Sequence, residues 1–242
     1  MKFHKGRNVI AFTVDSKLQG LQTVYAFVYV WDEHSKIVIS DIDGTITRSD
    51  LLGNIMPLVG KDWSHSGVTS LFSKIEANGY HLVYLTSRAI GQANITRDFL
   101  HSVKQGKYPL PEGPVIMSPD GLMFSFKREV IDRKPHEFKI PALRDVRNLF
   151  PEEHNPFVAG FGNRDTDLYA YEAVGVPTSK IFIVNPKGEL QHVNKTLKKS
   201  YILLGSMVNE MFPPVKKALS DYSPFLYWKE PIPSVEIDPE LL

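Results

Sequence analysis

KIVISDIDGT, residues 36–45, decides the reading of the chain. Ile37, Val38 and Ile39 form an apolar run without alternation, and Asp41, Asp43, Gly44 and Thr45 follow at once. A strand of that kind suits a parallel sheet covered on both faces. In such open α/β sheets, ligands gather beyond the carboxyl ends of the strands. Two carboxylates at spacing two past such an end project to one side. The stretch therefore predicts a central strand with a pair of acids at the rim of a site.

Four more apolar runs repeat the theme outward: HLVYL (81–85), PVIM (114–117), FVAGF (157–161) and KIFIV (180–184). Between them lie helical patterns. In 66–78 the apolar positions Val68, Leu71, Phe72 and Ile75 share one face, and Asn78-Gly79 marks a stop. Further helices are predicted over 92–104, 138–149, 166–174 and 201–212, the last ending at Pro213-Pro214. Strands alternating with helices predict a three-layer α/β fold, Rossmann-like, with a parallel five-stranded sheet. Ahead of it, NVIAFTV and LQTVYAFVYV flank the turn-like DSKLQG and predict a β-hairpin within 8–30. The tail is proline-rich and carries Phe225, Tyr227 and Trp228, an aromatic cluster of the kind that docks onto something. The division expected is 1–35, a β segment; 36–212, the catalytic domain; and 213–242, the tail.

Composition narrows the function. The chain has 242 residues, 43% hydrophobic and 23% charged, with 28 basic against 27 acidic side chains. A formal net charge of +1 excludes a uniformly basic nucleic-acid binder, so no nucleic-acid partner is expected. Without cysteine there is no disulfide scaffold, thiolate metal site or cysteine nucleophile. No apolar run approaches the roughly 18 residues of a membrane span, and the N-terminus lacks a secretory signal. A soluble intracellular protein is expected.

The polar groups beyond the strand ends are Asp41, Asp43 and Thr45 after the first run, and Thr86, Ser87 and Arg88 after the second. Lys134 precedes the 138–149 helix, and Asn163, Arg164 and Asp167 follow FVAGF. Paired carboxylates with further oxygen ligands suit Mg²⁺. A carboxylate is also a nucleophile toward phosphorus, and a hydroxyl and a lysine neutralise charge on transferring phosphoryl oxygens. The set suits phosphoryl transfer. No G-x-G-x-x-G follows a strand and no Walker-type loop is present.

In order and spacing, these motifs resemble the four motifs of the haloacid dehalogenase superfamily. More narrowly, the chain resembles the C-terminal catalytic region of lipin-type phosphatidate phosphatases. The stretches that carry the resemblance are SDIDGTITRSDLLGNIMPLVGKDWSHSGV (40–68), SRAIGQANITRDFLHSV (87–103), REVIDRKPHEFK (128–139), GFGNRDTDLYAYEAVGVP (160–177), IFIVNPKGEL (181–190) and FLYWKEPIP (225–233). The resemblance implies Asp41 as nucleophile and Mg²⁺ ligand. It implies Asp43 as general acid and then base, with its carbonyl on the metal. Thr86 would bond the phosphoryl group, Lys134 would offset its charge, and Asn163 and Asp167 would complete the metal site. Gly44, Thr45, Ser87, Arg88 and Arg164 are the substrate-binding candidates.

The intervals Asp43–Thr86 and Thr86–Lys134 already hold predicted elements and leave no room for an inserted cap. An uncapped site suits a phosphate embedded in a surface, and the expected partner is phosphatidic acid in a membrane. The resemblance further implies a cytoplasmic protein at the endoplasmic reticulum or nuclear membrane, serving triacylglycerol synthesis. It also implies that residues 1–35 are part of an immunoglobulin-like sandwich completed, in cis or trans, by the lipin N-terminal region. Alone, that segment is expected to be weakly stable with a bare edge. Two rivals stay open: a phosphoprotein phosphatase of the same fold, and a non-catalytic phosphatidate-binding module, against which Asp41 speaks. His65 reads as a helix-start residue beside the site, and Lys195, Lys198 and Lys199 as a basic patch facing solvent or anionic lipid. Leu52–Met56 resembles the family's co-activator element, with methionine in place of its last leucine.

Overall fold

The computed structural model describes residues 2–18, 20–48, 64–119, 136–192 and 198–215. Lys134, the Leu52–Met56 stretch, Lys195 and the aromatic cluster of the tail lie outside them.

Two long strands come first, β1 (Gly6–Ser16) and β2 (Gly20–Val30), paired antiparallel from Gly6↔Val30 to Ser16↔Gly20. The α/β region follows: β3 (Ile37–Asp41), α1 (Val68–Ala77), β4 (His81–Ala89), α2 (Ala93–Ser102), the small pair β5 (Lys104–Gln105) and β6 (Tyr108–Pro109), and β7 (Val115–Ser118). Then come α3 (His136–Arg147), β8 (Phe157–Gly162), α4 (Asp165–Ala173), β9 (Ile181–Val184), β10 (Glu189–His192), β11 (Lys198–Ser200), α5 (Tyr201–Ser206) and α6 (Val208–Met211).

The main sheet has seven strands in the order β11-β10-β9-β8-β3-β4-β7. Its five parallel members, β9 to β7, are the five predicted from apolar runs. β10 and β11 extend it antiparallel, beyond the five-stranded expectation. They follow a tight turn in which Gly188 has φ of 79°, while the Asn185 side chain accepts the amides of Lys187 at 3.0 Å and Glu189 at 3.1 Å. The helix predicted over 201–212 is two short ones.

β3 lies between β8 and β4, so its five residues are all buried. Alternation sorts its side chains. Val38 joins Leu82, Phe161 and Phe182 under α1 and α5, with Leu71, Phe72, Ile75 and Leu204. Ile37 and Ile39 join Val83, Leu85 and Phe157 under α3 and α4, with Phe138, Leu143 and Tyr171. Two cores on one sheet make the three layers, and both hold the carboxyl end of β3 in place.

The β1–β2 ribbon forms a sheet of its own. Its base rests on the α/β region, where Trp31 stacks on His81 with ring centroids 4.5 Å apart. Its far half is exposed, Phe12 by 58% and Val24 by 67%.

Candidate active site

Asp41 is the last residue of β3, and the chain turns at once. The Ile42 carbonyl accepts the amides of Ile46 at 2.9 Å and Thr47 at 3.2 Å, and the Gly44 amide donates to Thr47 Oγ1 at 2.9 Å. Gly44 has φ of 85°, a left-handed conformation glycine adopts without the steric cost of a side chain. This loop returns Thr45 beneath Asp41, and Thr45 Oγ1 donates to Asp41 Oδ2 at 3.2 Å.

The other oxygen, Asp41 Oδ1, accepts from Lys139 Nζ at 2.7 Å. Lys139 also donates to Asp167 Oδ1 at 2.7 Å, and its side chain is 3% exposed. Asp167 sits in the first turn of α4, and its Oδ2 accepts the amides of Asn163 at 3.0 Å and Arg164 at 3.1 Å. β8 and α4 meet so closely there that a Cβ on Gly162 would lie 2.4 Å from the Asp167 Cβ. Two carboxylates thus share one ammonium in a dry place. Burial works against the charge on Lys139, yet the carboxylates outweigh it and push its pKa above the ordinary lysine value. On Asp41 burial, with the Asp167 charge adding to it, works against the pull of Lys139 and raises the carboxyl above the ordinary carboxylate value.

Asp43 faces the other way. Arg88 donates to both of its oxygens, Nη2 to Oδ1 at 2.6 Å and Nε to Oδ2 at 3.1 Å. Thr86 Oγ1 donates to Oδ2 at 2.9 Å. Arg88 is itself braced by α2, with Nη1 at 3.4 Å from Thr96 Oγ1 and the guanidinium 5.8 Å from the centre of the Phe99 ring. Arg88 was expected at a headgroup phosphate, but with a side chain 4% exposed it is committed to Asp43. Ser87 and Arg164 are half-buried on the two sides of this rim. His65 is buried below it, facing the Tyr201 ring at 6.0 Å, and its Nε2 has no hydrogen-bond partner. Burial pushes its pKa down. Tyr201 donates to the Thr45 carbonyl at 2.9 Å and so props the turn from beneath.

The structure thus brings Asp41, Asp43, Thr45, Thr86, Arg88 and Asp167 into two linked clusters. The sequence reading missed Lys139 and Thr96. A signal for Lys139 was present: it stands four residues before Leu143, which is fully buried, so helical spacing puts a lysine on the stripe that faces the sheet.

Among the described residues, no three acidic or histidine side chains converge on a point a metal ion would occupy. Mg²⁺ is commonly held by one or two carboxylates, with water and phosphate oxygens supplying the rest. Asp41 and Asp167, two carboxylates that meet at Lys139, with Asn163 four residues before Asp167, are an all-oxygen set of that kind, and the residues present fit such an ion.

Known proteins resemble this chain over nearly its whole length. The family model LNS2 (Lipin/Ned1/Smp2) matches residues 1–213. Phosphatidate phosphatase PAH1 of Arabidopsis thaliana is 54% identical over 233 residues, covering 96% of this chain and 26% of that protein. Phosphatidate phosphatase LPIN3 of Homo sapiens is 46% identical, covering 98% of this chain and 29% of that protein. Phosphatidic acid phosphohydrolase 1 of Saccharomyces cerevisiae is 46% identical over 87% of the chain and 26% of its own length. The chain therefore spans between a quarter and a third of the length of these relatives. Among solved structures, the Legionella pneumophila effector Ceg4 aligns over 77% of this chain and 98% of its own at 11% identity, with a TM-score of 0.43, too low to support an argument. With a family model matched from the first residue through both acid clusters, and relatives this similar over nearly the whole chain, the protein belongs to the LNS2 (Lipin/Ned1/Smp2) family.

Proposed function

We propose that this chain is the catalytic region of a Mg²⁺-dependent phosphatidate phosphatase, releasing phosphate and diacylglycerol from phosphatidic acid. The observation that carries the reading is the setting of Asp41: a buried carboxylate at the end of a central strand, held at one oxygen by Lys139 and at the other by Thr45. The names of the relatives supply the substrate. Asp41 attacks phosphorus in line, an aspartyl-phosphate forms, and the diacylglycerol oxygen leaves. Asp43 protonates that oxygen and then takes a proton from the water that cleaves the intermediate. To do so its side chain leaves Arg88 and turns toward Asp41. Lys139 and the hydroxyl of Thr86 offset charge on the phosphoryl oxygens, a task several donors share in phosphoryl transfer. Asp41, Asp167 and Asn163, with the backbone carbonyl of Asp43, would hold a Mg²⁺ ion, which would supply further charge neutralisation on the phosphate.

The finer architecture belongs to the same reading: a haloacid dehalogenase-type domain without an inserted cap, whose rim meets a headgroup lying in a membrane surface. The ribbon is then one part of an immunoglobulin-like sandwich. Among the described residues, no helix is long and apolar enough to cross a membrane.

The test is phosphate release from phosphatidate in mixed micelles, with and without Mg²⁺, for the chain as given and for Asp41→Asn. Mg²⁺-dependent release abolished by the substitution supports the proposal. Release from a soluble phosphoester or phosphopeptide but not from the lipid keeps the chemistry and discards the substrate. Release that survives in Asp41→Asn removes the nucleophile.

A further inference from the structure

A cleft runs between the base of the β1–β2 ribbon and the catalytic region, enclosing about 120 Å³. Its lining includes Arg7, Phe27 and Tyr29 from the ribbon, Arg97 and His101 from α2, and Glu112 from the segment before β7. None of these belongs to the acid clusters of the active site. On α2 the residues that brace Arg88 are Thr96 and Phe99, not Arg97 or His101.

The charges in the cleft do not balance. The guanidinium of Arg7 lies 5.0 Å from the centre of the Phe27 ring, and that of Arg97 lies 5.3 Å from the same ring. Glu112 answers one of them, Arg7, at 3.1 Å. Arg97 reaches only the amide oxygen of Asn94, at 3.4 Å, and no carboxylate pairs with it among the described residues. Two guanidiniums over one aromatic ring, with one carboxylate paired to Arg7 alone, leave the half-buried Arg97 charge unmatched. An anion in the cleft balances that charge.

We propose that this cleft is a second binding site for a phosphate group, separate from the active site and independent of the phosphatase reading. Planar guanidinium forks match the oxygens of a phosphate bidentately. A phosphate dianion outweighs Glu112, where a carboxylate ligand would merely duplicate it. A volume of about 120 Å³ is large enough for a phosphate group. The phosphate comes either from free phosphate or from a lipid headgroup, and the experiment separates the two.

The arginine Nε–Hε signals of the full chain, carrying Asp41→Asn so that no probe is consumed, are followed by NMR in two titrations. One uses inorganic phosphate, the other dihexanoyl phosphatidate below its micellar concentration. Saturable shifts of Arg7 and Arg97 are expected, and Arg88 reports the active site separately, so failure there and failure here are told apart. Arg97→Gln should weaken binding at the cleft at least tenfold. Glu112→Gln should tighten it several-fold, an effect that a purely structural joint between ribbon and domain would not produce. Shifts with phosphate alone name the free anion as the source; shifts with phosphatidate alone name the headgroup. If neither probe moves Arg7 and Arg97, if the shifts persist in Arg97→Gln, or if Glu112→Gln leaves the affinity unchanged, the proposal is overturned.

Discussion

The β1–β2 ribbon and β3 are both rich in β-branched apolar residues, yet they meet opposite fates. The five residues of β3 are all buried, because neighbouring strands flank it and helices cover both of its faces. The eleven-residue strands of the ribbon pair only with each other among the described residues, and Val14 and Leu21 near its tip are 65% and 70% exposed. Hydrophobic residues do not make a core by themselves. A strand becomes interior when it has partners on both edges and layers on both faces, and a two-stranded ribbon has neither.

The comparison can be broken, beginning where most depends on burial. Asp41→Asn should lower phosphate release from phosphatidate by several orders of magnitude, roughly the cost of losing a covalent nucleophile. The circular dichroism melting curve should show no loss of the fold. Lys139→Ala strands two buried carboxylates without their shared cation, a change that typically costs about 3–5 kcal/mol. Denaturant unfolding should read that loss, whereas Lys139→Arg should recover part of it. In β3, Ile39→Ala should cost about 2–5 kcal/mol, while Phe12→Ala on the exposed ribbon should stay within about 0.5 kcal/mol. Similar costs for the two would sink the contrast. Hydrogen exchange should follow the same division, with slow amides in β3 and β8 and fast ones in the far half of the ribbon. Strong protection at Phe12 and Val24 would show that the ribbon finds support after all.

The smallest effect concerns the joint between the two regions. Burial, helped by the charge of Lys5, pushes the His81 pKa below the ordinary histidine value. The unfolded chain therefore binds a proton near pH 6.5 that the folded chain still refuses. Stability contributed by neutral His81 is present above that pH and is lost as the pH falls through the lower folded value. Because His81 stacks on Trp31, tryptophan fluorescence should report the joint loosening on acidification. His81→Phe should flatten that part of the profile, and an unchanged slope would assign the effect to another group.

Much of this was legible in the sequence because it rests on local pattern. Apolar runs mark the five parallel strands, and the acids after Ile39 mark the active end of the sheet. β10 and β11 escaped because ELQH and KKS carry no apolar run and owe their pairing to the turn at Asn185 and Gly188. The site was harder, since its contacts join residues far apart in the chain. Lys134, singled out by its place in the motif set, lies outside the described residues, while Lys139, five residues on, reaches Asp41 from inside α3. Nothing local tells which lysine a distant carboxylate will meet. Arg88 was noticed, but a sequence cannot say whether a guanidinium beside a site faces substrate or a neighbouring acid. Here the acid, Asp43, takes both of its forked donors.

The meeting of β8 with α4 sets a limit on how this protein can drift. At Gly162 even one methyl group would lie 2.8 Å from an Asp167 carboxylate oxygen and closer still to its Cβ. In an exhaustive substitution scan, position 162 should tolerate glycine alone, as sharply as position 41 should tolerate aspartate alone. A residue that performs no chemistry would then leave a mutational fingerprint indistinguishable from that of one that does.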